Sequence, residues 1–203
     1  MKTEHLQASR PEHVARAAAL LREGRIVAFP TETVYGLGAR ADNPEAVAQL
    51  QRLKRRPEGK EFALLISSPD DAGRWGDMSP AALALARAFW PGPLTLVVPD
   101  RRGGKVGLRC PAHEVTRDLV RRAGAPIAAP SANVSGLPPA TTAQQVLETF
   151  DGRIAAVLDG GPAGLGVAST VVRVDGARVD VLREGAIPEA ALRAVVAGVR
   201  PLP

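Results

Sequence analysis

Four short polar segments carry residue types suited to holding an anionic ligand, and each follows an apolar run or a helix. The first is Thr31-Glu32-Thr33, which comes directly after the mainly apolar residues 25–29 and Pro30. Pro30 has no N–H to donate, so it should end a strand there. Three polar side chains at the carboxyl end of a strand suit a ligand site in an open α/β sheet. They are equally typical of hydroxyl groups that cap local amides in a loop.

The second segment pairs two cations, Lys54 and Arg56, just before Pro57. On an extended chain these side chains would meet on one phosphate group. At the end of a helix they would instead stabilise the helix dipole. In either case the helix ends before Pro57, so we expect little packing to depend on the two charged heads.

The third segment, residues 130–136, places Ser131 and Asn133 on one side of an extended loop, where they would offer donors and acceptors to a ligand. The same composition is common in simple turns. The fourth is the glycine-rich run 159–166, followed by Ser169 and, further on, Arg183. Its backbone amides would cradle a phosphate or form a flexible loop.

Several kinds of chemistry are disfavoured. The sequence contains no G-x-x-x-x-G-K-[ST], which excludes a P-loop. Its one cysteine, Cys110, excludes an internal disulfide, and we expect it to be a buried small hydrophobe rather than a nucleophile. Few carboxylates lie near the four segments, which favours stabilisation of anionic charge by cations over acid–base hydrolysis. These carboxylates are Glu32, Glu61 and Asp159.

Composition predicts a globular chain of one domain, residues 1–203. Hydrophobic residues make up 45% and aromatic residues only 3%, so the core must be mainly aliphatic. The net charge of +5 favours anionic partners. No apolar run is long enough to span a bilayer, and the first residues lack the apolar stretch of a secretory signal. We therefore predict a cytoplasmic protein with no membrane partner and no structural zinc.

Apolar runs and capping residues alternate along the chain, which predicts an α/β fold. Helices are expected to begin at a Ser9–Glu12 capping box, at Asn43-Pro44, at Ser79-Pro80 and at Thr142, with others near 113–124 and after 188. A hairpin is expected across Asp175-Gly176. Parallel connections together with a late hairpin predict a mixed parallel/antiparallel sheet.

At the polar segments the sequence resembles the YrdC family, the threonylcarbamoyl-AMP synthases. Seven short pieces occur in the family's order and cover most of the chain. They are PTETVYGLG from Pro30, KRRP from Lys54, WPGPLTLVV from Trp90, GLRCPAH from Gly107, APSANVSG from Ala129, AST from Ala168 and LREG from Leu182.

The resemblance implies a twisted mixed sheet flanked by helices around a large basic concave cleft. It also implies a reaction that joins L-threonine, bicarbonate or CO2, and ATP into threonylcarbamoyl-AMP with release of pyrophosphate. Downstream tRNA threonylcarbamoyl-transferase proteins would then modify a tRNA adenosine. Mg2+ is the implied cofactor, bound with ATP.

The resemblance also assigns roles to residues. Three would bind threonine: Thr31, Arg109 and Ser169. Five would bind ATP: Lys54, Arg56, Ser131, Asn133 and Arg183. Of these, Lys54 and Arg56 would hold the phosphates and carry the catalysis. No residue is assigned to a metal.

The chain differs from many relatives at two places beside these residues. It has Lys60-Glu61-Phe62 where many have Lys-Pro-Leu, and Leu65 where some have His.

Two alternative functions stay open. One is a module that binds double-stranded RNA or tRNA through a basic cleft, and the other is an enzyme of the same fold that handles carbamoyl-AMP.

Overall fold

The computed structural model describes residues 2–55 and 61–199. The strands in this part of the chain are β1 (Glu4–Gln7), β2 (Val27–Phe29), β3 (Gly36–Arg40), β4 (Leu64–Leu65), β5 (Leu94–Pro99), β6 (Lys105–Arg109), β7 (Ile127–Ala128), β8 (Ala156–Asp159), β9 (Thr170–Asp175) and β10 (Arg178–Arg183). The helices are α1 (Pro11–Arg22), α2 (Pro44–Lys54), α3 (Pro80–Phe89), α4 (Glu114–Ala123), α5 (Ala143–Phe150) and α6 (Glu189–Ala197), with a 3-10 helix at Pro69–Arg74.

The strands form one sheet in the order β1-β8-β2-β3-β7-β4-β6-β5-β9-β10. Strand β8 pairs in parallel with β1 and β2, and the pairs β4–β6 and β5–β9 are also parallel. The pairs β2–β3, β3–β7, β4–β7, β5–β6 and β9–β10 are antiparallel. The predicted mixed sheet and the late hairpin are therefore confirmed.

Three predicted helix starts are confirmed by their capping hydrogen bonds. Asn43 Oδ1 accepts from the amide of Ala46 at 3.1 Å, and Thr142 Oγ1 accepts from that of Gln145 at 3.3 Å. Ser79 likewise caps α3. The Ser9–Glu12 capping box is wrong, because α1 takes Arg10 as its N-cap and begins at Pro11, with no side-chain cap.

The sequence patterns did not predict two of the strands, β1 and β3. Strand β1 is short and buries only Leu6, so its alternation is weak. Strand β3 contains two glycines, which usually weaken a strand. The sheet needs Gly38, because a Cβ there would lie 2.5 Å from a Phe29 ring carbon and 2.6 Å from Ile127 Cγ2.

Alternating side chains cover both faces of the β2–β8 region. Val27 and Phe29 pack with α1 and α4 in one buried cluster, and Ala28 packs with α2 and α5 in another. This part of the sheet is a central layer between two helical layers. None of the helices in the described residues is long and apolar enough to cross a bilayer.

The β5–β6–β9 region has a helix layer on one face. Leu94, Leu96, Leu108 and Val172 pack with α3 and α6 in a third buried cluster. The alternate residues of the same strands point away from these helices and line a cavity. The wall-forming residues on these strands are Thr95, Val97, Lys105, Gly107, Arg109 and Val171.

Candidate active site

The cavity measures about 770 Å³, a size that suits a small-molecule ligand. It combines the open face of β5–β6–β9 with the chain that follows β2, the end of α2 and the loop after β7. Six of the eight predicted site residues line it: Thr31, Lys54, Arg109, Ser131, Ser169 and Arg183. They come from segments far apart in the sequence.

Two predicted residues stand apart from these six. Arg56 falls outside the described residues, so its phosphate contact stays a prediction. Asn133 lies behind the cavity wall, where its Oδ1 accepts from Lys54 Nζ at 2.8 Å and from Ser131 Oγ at 2.6 Å. Its amide Nδ2 donates to the carbonyls of Val134 and Leu137. Asn133 therefore supports the loop that presents Ser131.

Lys54 is deeply buried, and its charged head is engaged by that same loop. The residue is 3% exposed. Its Nζ donates to the carbonyls of Ser131 and Asn133 at 2.7 and 2.6 Å, in addition to Asn133 Oδ1. An ammonium group has three N–H bonds, and these three acceptors match them. The expectation that little depends on the Lys54 head is therefore wrong, because its head joins α2 to the loop after β7.

Arg109 offers one edge of its guanidinium to the cavity. Its Nη2 donates to Glu32 Oε1 at 2.8 Å and to Thr33 Oγ1 at 2.9 Å, and its Nε donates to the Gly92 carbonyl at 3.3 Å. Among the described residues, Nη1 donates no hydrogen bond. Because the residue lines the cavity and its other two nitrogens are held, Nη1 is the nitrogen left to bind a carboxylate or phosphate oxygen.

The hydroxyl of Thr31 is built into a tight turn at the end of β2. Its Oγ1 donates to the Val34 carbonyl at 2.6 Å and lies 2.8 Å from Thr33 Oγ1. It also accepts from the amides of Thr33 and Val34. The Thr31 hydroxyl thus caps local amides, which was one of the two alternatives for this segment. The turn also holds Thr33 where its hydroxyl accepts a hydrogen bond from Arg109.

Ser169 and Arg183 form a second polar group on the cavity wall. Arg183 Nη2 donates to the Ser169 carbonyl at 2.7 Å, and Ser169 Oγ lies 2.9 Å from Thr95 Oγ1. Burial lowers the pKa of the Arg183 guanidinium, and the nearby positive charge of Arg109 lowers it further. Two guanidinium groups in one cavity make it attractive to an anion with more than one charge.

The backbone at Ser169 leaves no space beside Gly185. A Cβ on Gly185 would lie 2.2 Å from the Ala168 carbonyl oxygen and 2.7 Å from the Ser169 carbonyl carbon. We expect Gly185→Ala to lower the free energy of unfolding by about 1–3 kcal/mol, the usual cost of overpacking. Urea unfolding would measure this loss of stability. Gly103 is unsuited as a control: nothing lies within 4 Å of a Cβ there, but its φ is +83°, which would strain any other residue.

Gly73 gives the matched control, since a Cβ there meets nothing within 4 Å and its φ is not positive. Gly73→Ala should change stability by less than about 0.5 kcal/mol. If both variants were equally stable, the close approach at Ser169 would not explain the glycine.

The glycine-rich run after β8 does not form a phosphate cradle. Residues 160–166 do not line the cavity. Four of its amides already donate within the protein: Gly160 to Tyr35 Oη, Gly161 to Asp159 Oδ1, Ala163 to the Thr141 carbonyl and Leu165 to the Glu32 carbonyl. Residues 160–166 instead support the segment after β2 through hydrogen bonds to Tyr35 and Glu32.

Cys110 is the buried residue that the sequence predicts, and His113 lies close to it in the chain. Cys110 is fully buried, and burial raises the pKa of its thiol to about 11, so it is a poor nucleophile. His113 precedes the first residue of α4. Burial lowers the pKa of its imidazole, which favours the neutral form.

Sequence reasoning missed several cavity residues. Thr95 and Lys105 lie on β5 and β6, and only the alternation of those strands shows that they face the cavity. Glu61 and Leu65, the two departures from relatives, also line it. Glu32 was predicted only as part of the first polar segment and as a nearby carboxylate. Its pairing with Arg109 joins residues 77 positions apart.

Comparison with known proteins agrees with the fold. A family model for Sua5, YciO and YrdC, described as "Telomere recombination", matches residues 19–185. A threonylcarbamoyl-AMP synthase of Bacillus subtilis is 42% identical over 208 residues, covering 96% of this chain and 59% of that protein. A putative threonylcarbamoyl-AMP synthase of Mycobacterium tuberculosis is 37% identical and is matched over 91% of both chains.

The crystal structure of P. abyssi Sua5 complexed with L-threonine superposes with a TM-score of 0.91 at 37% identity, covering 98% of this chain and 62% of that one. The present chain thus spans about three-fifths of the length of two of these proteins. A match over residues 19–185, together with this identity, is enough to assign the family. The chain belongs to the Sua5/YciO/YrdC family.

Proposed function

We propose that the chain synthesises L-threonylcarbamoyl-AMP from L-threonine, bicarbonate or CO2, and ATP, with release of pyrophosphate. The observation that carries the proposal is the meeting of six predicted substrate-binding residues in one cavity. The names of similar proteins and the threonine complex of P. abyssi Sua5 support it. The fold alone would not, since one fold can host many reactions.

In this proposal Arg109 binds the threonine carboxylate through its free Nη1 edge. Thr33 and Glu32 hold the opposite edge of the same guanidinium. Ser169, fixed by Thr95, lies on the neighbouring wall, where its hydroxyl can orient the amino acid. Orientation of this kind lowers the barrier without a covalent nucleophile.

The chemistry then needs two bond-forming steps. The threonine amine, after losing a proton, attacks CO2 and forms a carbamate. A carbamate oxygen attacks the α-phosphorus of ATP, and the bond to pyrophosphate breaks. We assign the anionic triphosphate to the cations Lys54, Arg56 and Arg183, together with Ser131, because positive charge would offset the negative charge that develops on the phosphates.

Mg2+ is proposed to accompany the nucleotide. Among the described residues, no group of three or more His, Cys, Asp or Glu side chains could hold a metal ion. Proteins often bind Mg2+ through substrate phosphates together with one or two carboxylates. Glu61, an acidic residue of the cavity wall, is the side chain suited to contact it. When bound, the ion would neutralise phosphate charge.

We further propose that the product supplies tRNA modification in the cytoplasm, through downstream threonylcarbamoyl-transferase proteins. Direct binding of tRNA or double-stranded RNA is a separate alternative. It would give an affinity that falls steeply with salt, without nucleotide turnover.

Pyrophosphate release, with each substrate omitted in turn, tests the proposed reaction. We expect release only when L-threonine, bicarbonate and ATP are all present. L-Serine should be used less well, because contact with one methyl group contributes about 1–3 kcal/mol. Turnover without any amino acid would contradict the proposal and point to carbamoyl-AMP chemistry. Salt-dependent RNA binding without pyrophosphate release would point to the RNA-binding module.

A further inference from the structure

Glu32 is the partner of Arg109 and stands behind it. The carboxylate and the guanidinium are both nearly buried, with side chains 15% and 9% exposed. Glu32 does not line the cavity, whereas Arg109 does. Substrate that binds to the Nη1 edge of Arg109 would therefore not touch Glu32.

The carboxylate of Glu32 is only half satisfied. Its Oε1 accepts from Arg109 at 2.8 Å. Its Oε2 is the buried side-chain polar atom for which the described residues provide no hydrogen-bond partner. Such an atom is unfavourable for stability and calls for an explanation. An apolar side chain that filled the same space would avoid this cost, so the contact with Arg109 is the benefit that the described residues show for Glu32.

The orientation of Arg109 depends on few contacts. Gly92 holds Nε at the long distance of 3.3 Å, and Thr33 and Glu32 share Nη2. Of these three acceptors, only Glu32 is charged, and hydrogen bonds between charged groups are stronger than neutral ones. That contact needs the full reach of the Glu32 side chain, which brings Oε1 to 2.8 Å from Nη2.

We infer that Glu32 is a positioning residue, which fixes the Arg109 guanidinium so that Nη1 receives the substrate carboxylate. This inference rests on the proposed function for its substrate, L-threonine. The inference distinguishes the length of the Glu32 side chain from its negative charge. The length allows the contact that fixes the Arg109 guanidinium, whereas the charge without that contact would only change the electrostatic potential in the cavity.

Two substitutions separate reach from charge. Glu32→Asp keeps the charge but is one methylene too short for the contact, whereas Glu32→Gln keeps the reach and an acceptor oxygen. We expect Glu32→Asp to raise KM for L-threonine about ten-fold and Glu32→Gln about three-fold. KM for ATP should stay within about two-fold of the wild-type value, because a merely structural loss would affect both substrates.

The matched control is Glu4→Asp, which shortens the carboxylate of an exposed ion pair with Arg16 on β1 and α1. It should leave both KM values unchanged. A Glu32→Asp enzyme with wild-type KM for threonine, or one affected less than Glu32→Gln, would overturn the inference.

A second measurement, hydrogen exchange by NMR, tests the positioning role of Glu32 without relying on the proposed synthesis reaction. The Nη2–H resonances of the Arg109 guanidinium, which Glu32 contacts, can be assigned in NMR spectra by their loss in Arg109→Lys. We expect their hydrogen exchange with water to be faster in Glu32→Asp than in the wild type and little changed in Glu4→Asp. If wild-type protein released no pyrophosphate with threonine, the proposed function would fail, and unchanged exchange in Glu32→Asp would by itself overturn the positioning role.

Discussion

Lys54→Met is expected to destabilise the protein and to abolish synthesis. The Lys54 ammonium donates at 2.6–2.8 Å to two carbonyls and one side-chain oxygen of the Ser131–Asn133 loop. A hydrogen bond to a charged group contributes about 1.5–3 kcal/mol, so losing this set should lower the free energy of unfolding by more than about 3 kcal/mol. Methionine keeps the apolar stem and removes only the charged head.

Activity should fall with stability, because Ser131 would no longer be held at the cavity wall. We expect at least about a hundred-fold loss in the rate of pyrophosphate release, measured where the variant is still folded. Urea unfolding and turnover should be measured on the same preparation. The control for stability is Lys105→Met, since Lys105 is an exposed lysine of the same cavity. Stability within about 0.5 kcal/mol of wild type in Lys54→Met would contradict this account.

Arg109→Lys is expected to fold and to lose most threonine-dependent activity. One ammonium group cannot keep contacts with Gly92, Glu32 and Thr33 while also binding a substrate carboxylate, since it lacks the planar fork of arginine. Changing one partner of a buried hydrogen-bonded charge pair costs about 2–5 kcal/mol in binding. We therefore expect kcat/KM for L-threonine to fall by about a hundred-fold or more.

The choice of lysine keeps a positive charge beside Glu32, so the protein should still fold. Arg109→Met would instead leave that carboxylate buried and unpaired, which typically costs about 3–5 kcal/mol of stability. Arg122→Lys is a suitable control, because Arg122 forms an exposed ion pair on α4. Equal use of threonine by Arg109→Lys and Arg122→Lys would remove Arg109 from the substrate site.

Local patterns predicted most of the helices and strands. Asn43, Ser79 and Thr142 each satisfy a helix amide that has no partner within its helix, so the signal lies within four residues. The two missed strands depend on distant partners instead. Strand β1 exists because it pairs with β8, about 150 residues later in the chain, and β3 is stabilised by pairing with β2 and β7.

In the candidate site, too, local sequence predicted which residues take part, but their contacts depend on distant parts of the chain. The family resemblance assigned roles to Lys54, Arg109 and Ser131, and the structure brings all three to the cavity. What each side chain contacts could not be predicted. The three acceptors of Lys54 and the Glu32 partner of Arg109 lie about 77 residues away in sequence, and only the folded sheet brings them within hydrogen-bonding distance.

The most direct test of the proposed activity is to identify the product. Purified protein would be incubated with ATP, L-threonine and bicarbonate labelled with a heavy carbon isotope, and the nucleotide products would be analysed at once by mass spectrometry. The account predicts an AMP conjugate that contains threonine and carries the label. An AMP conjugate that carries the label but lacks threonine, or ATP that stays unconsumed, would contradict it.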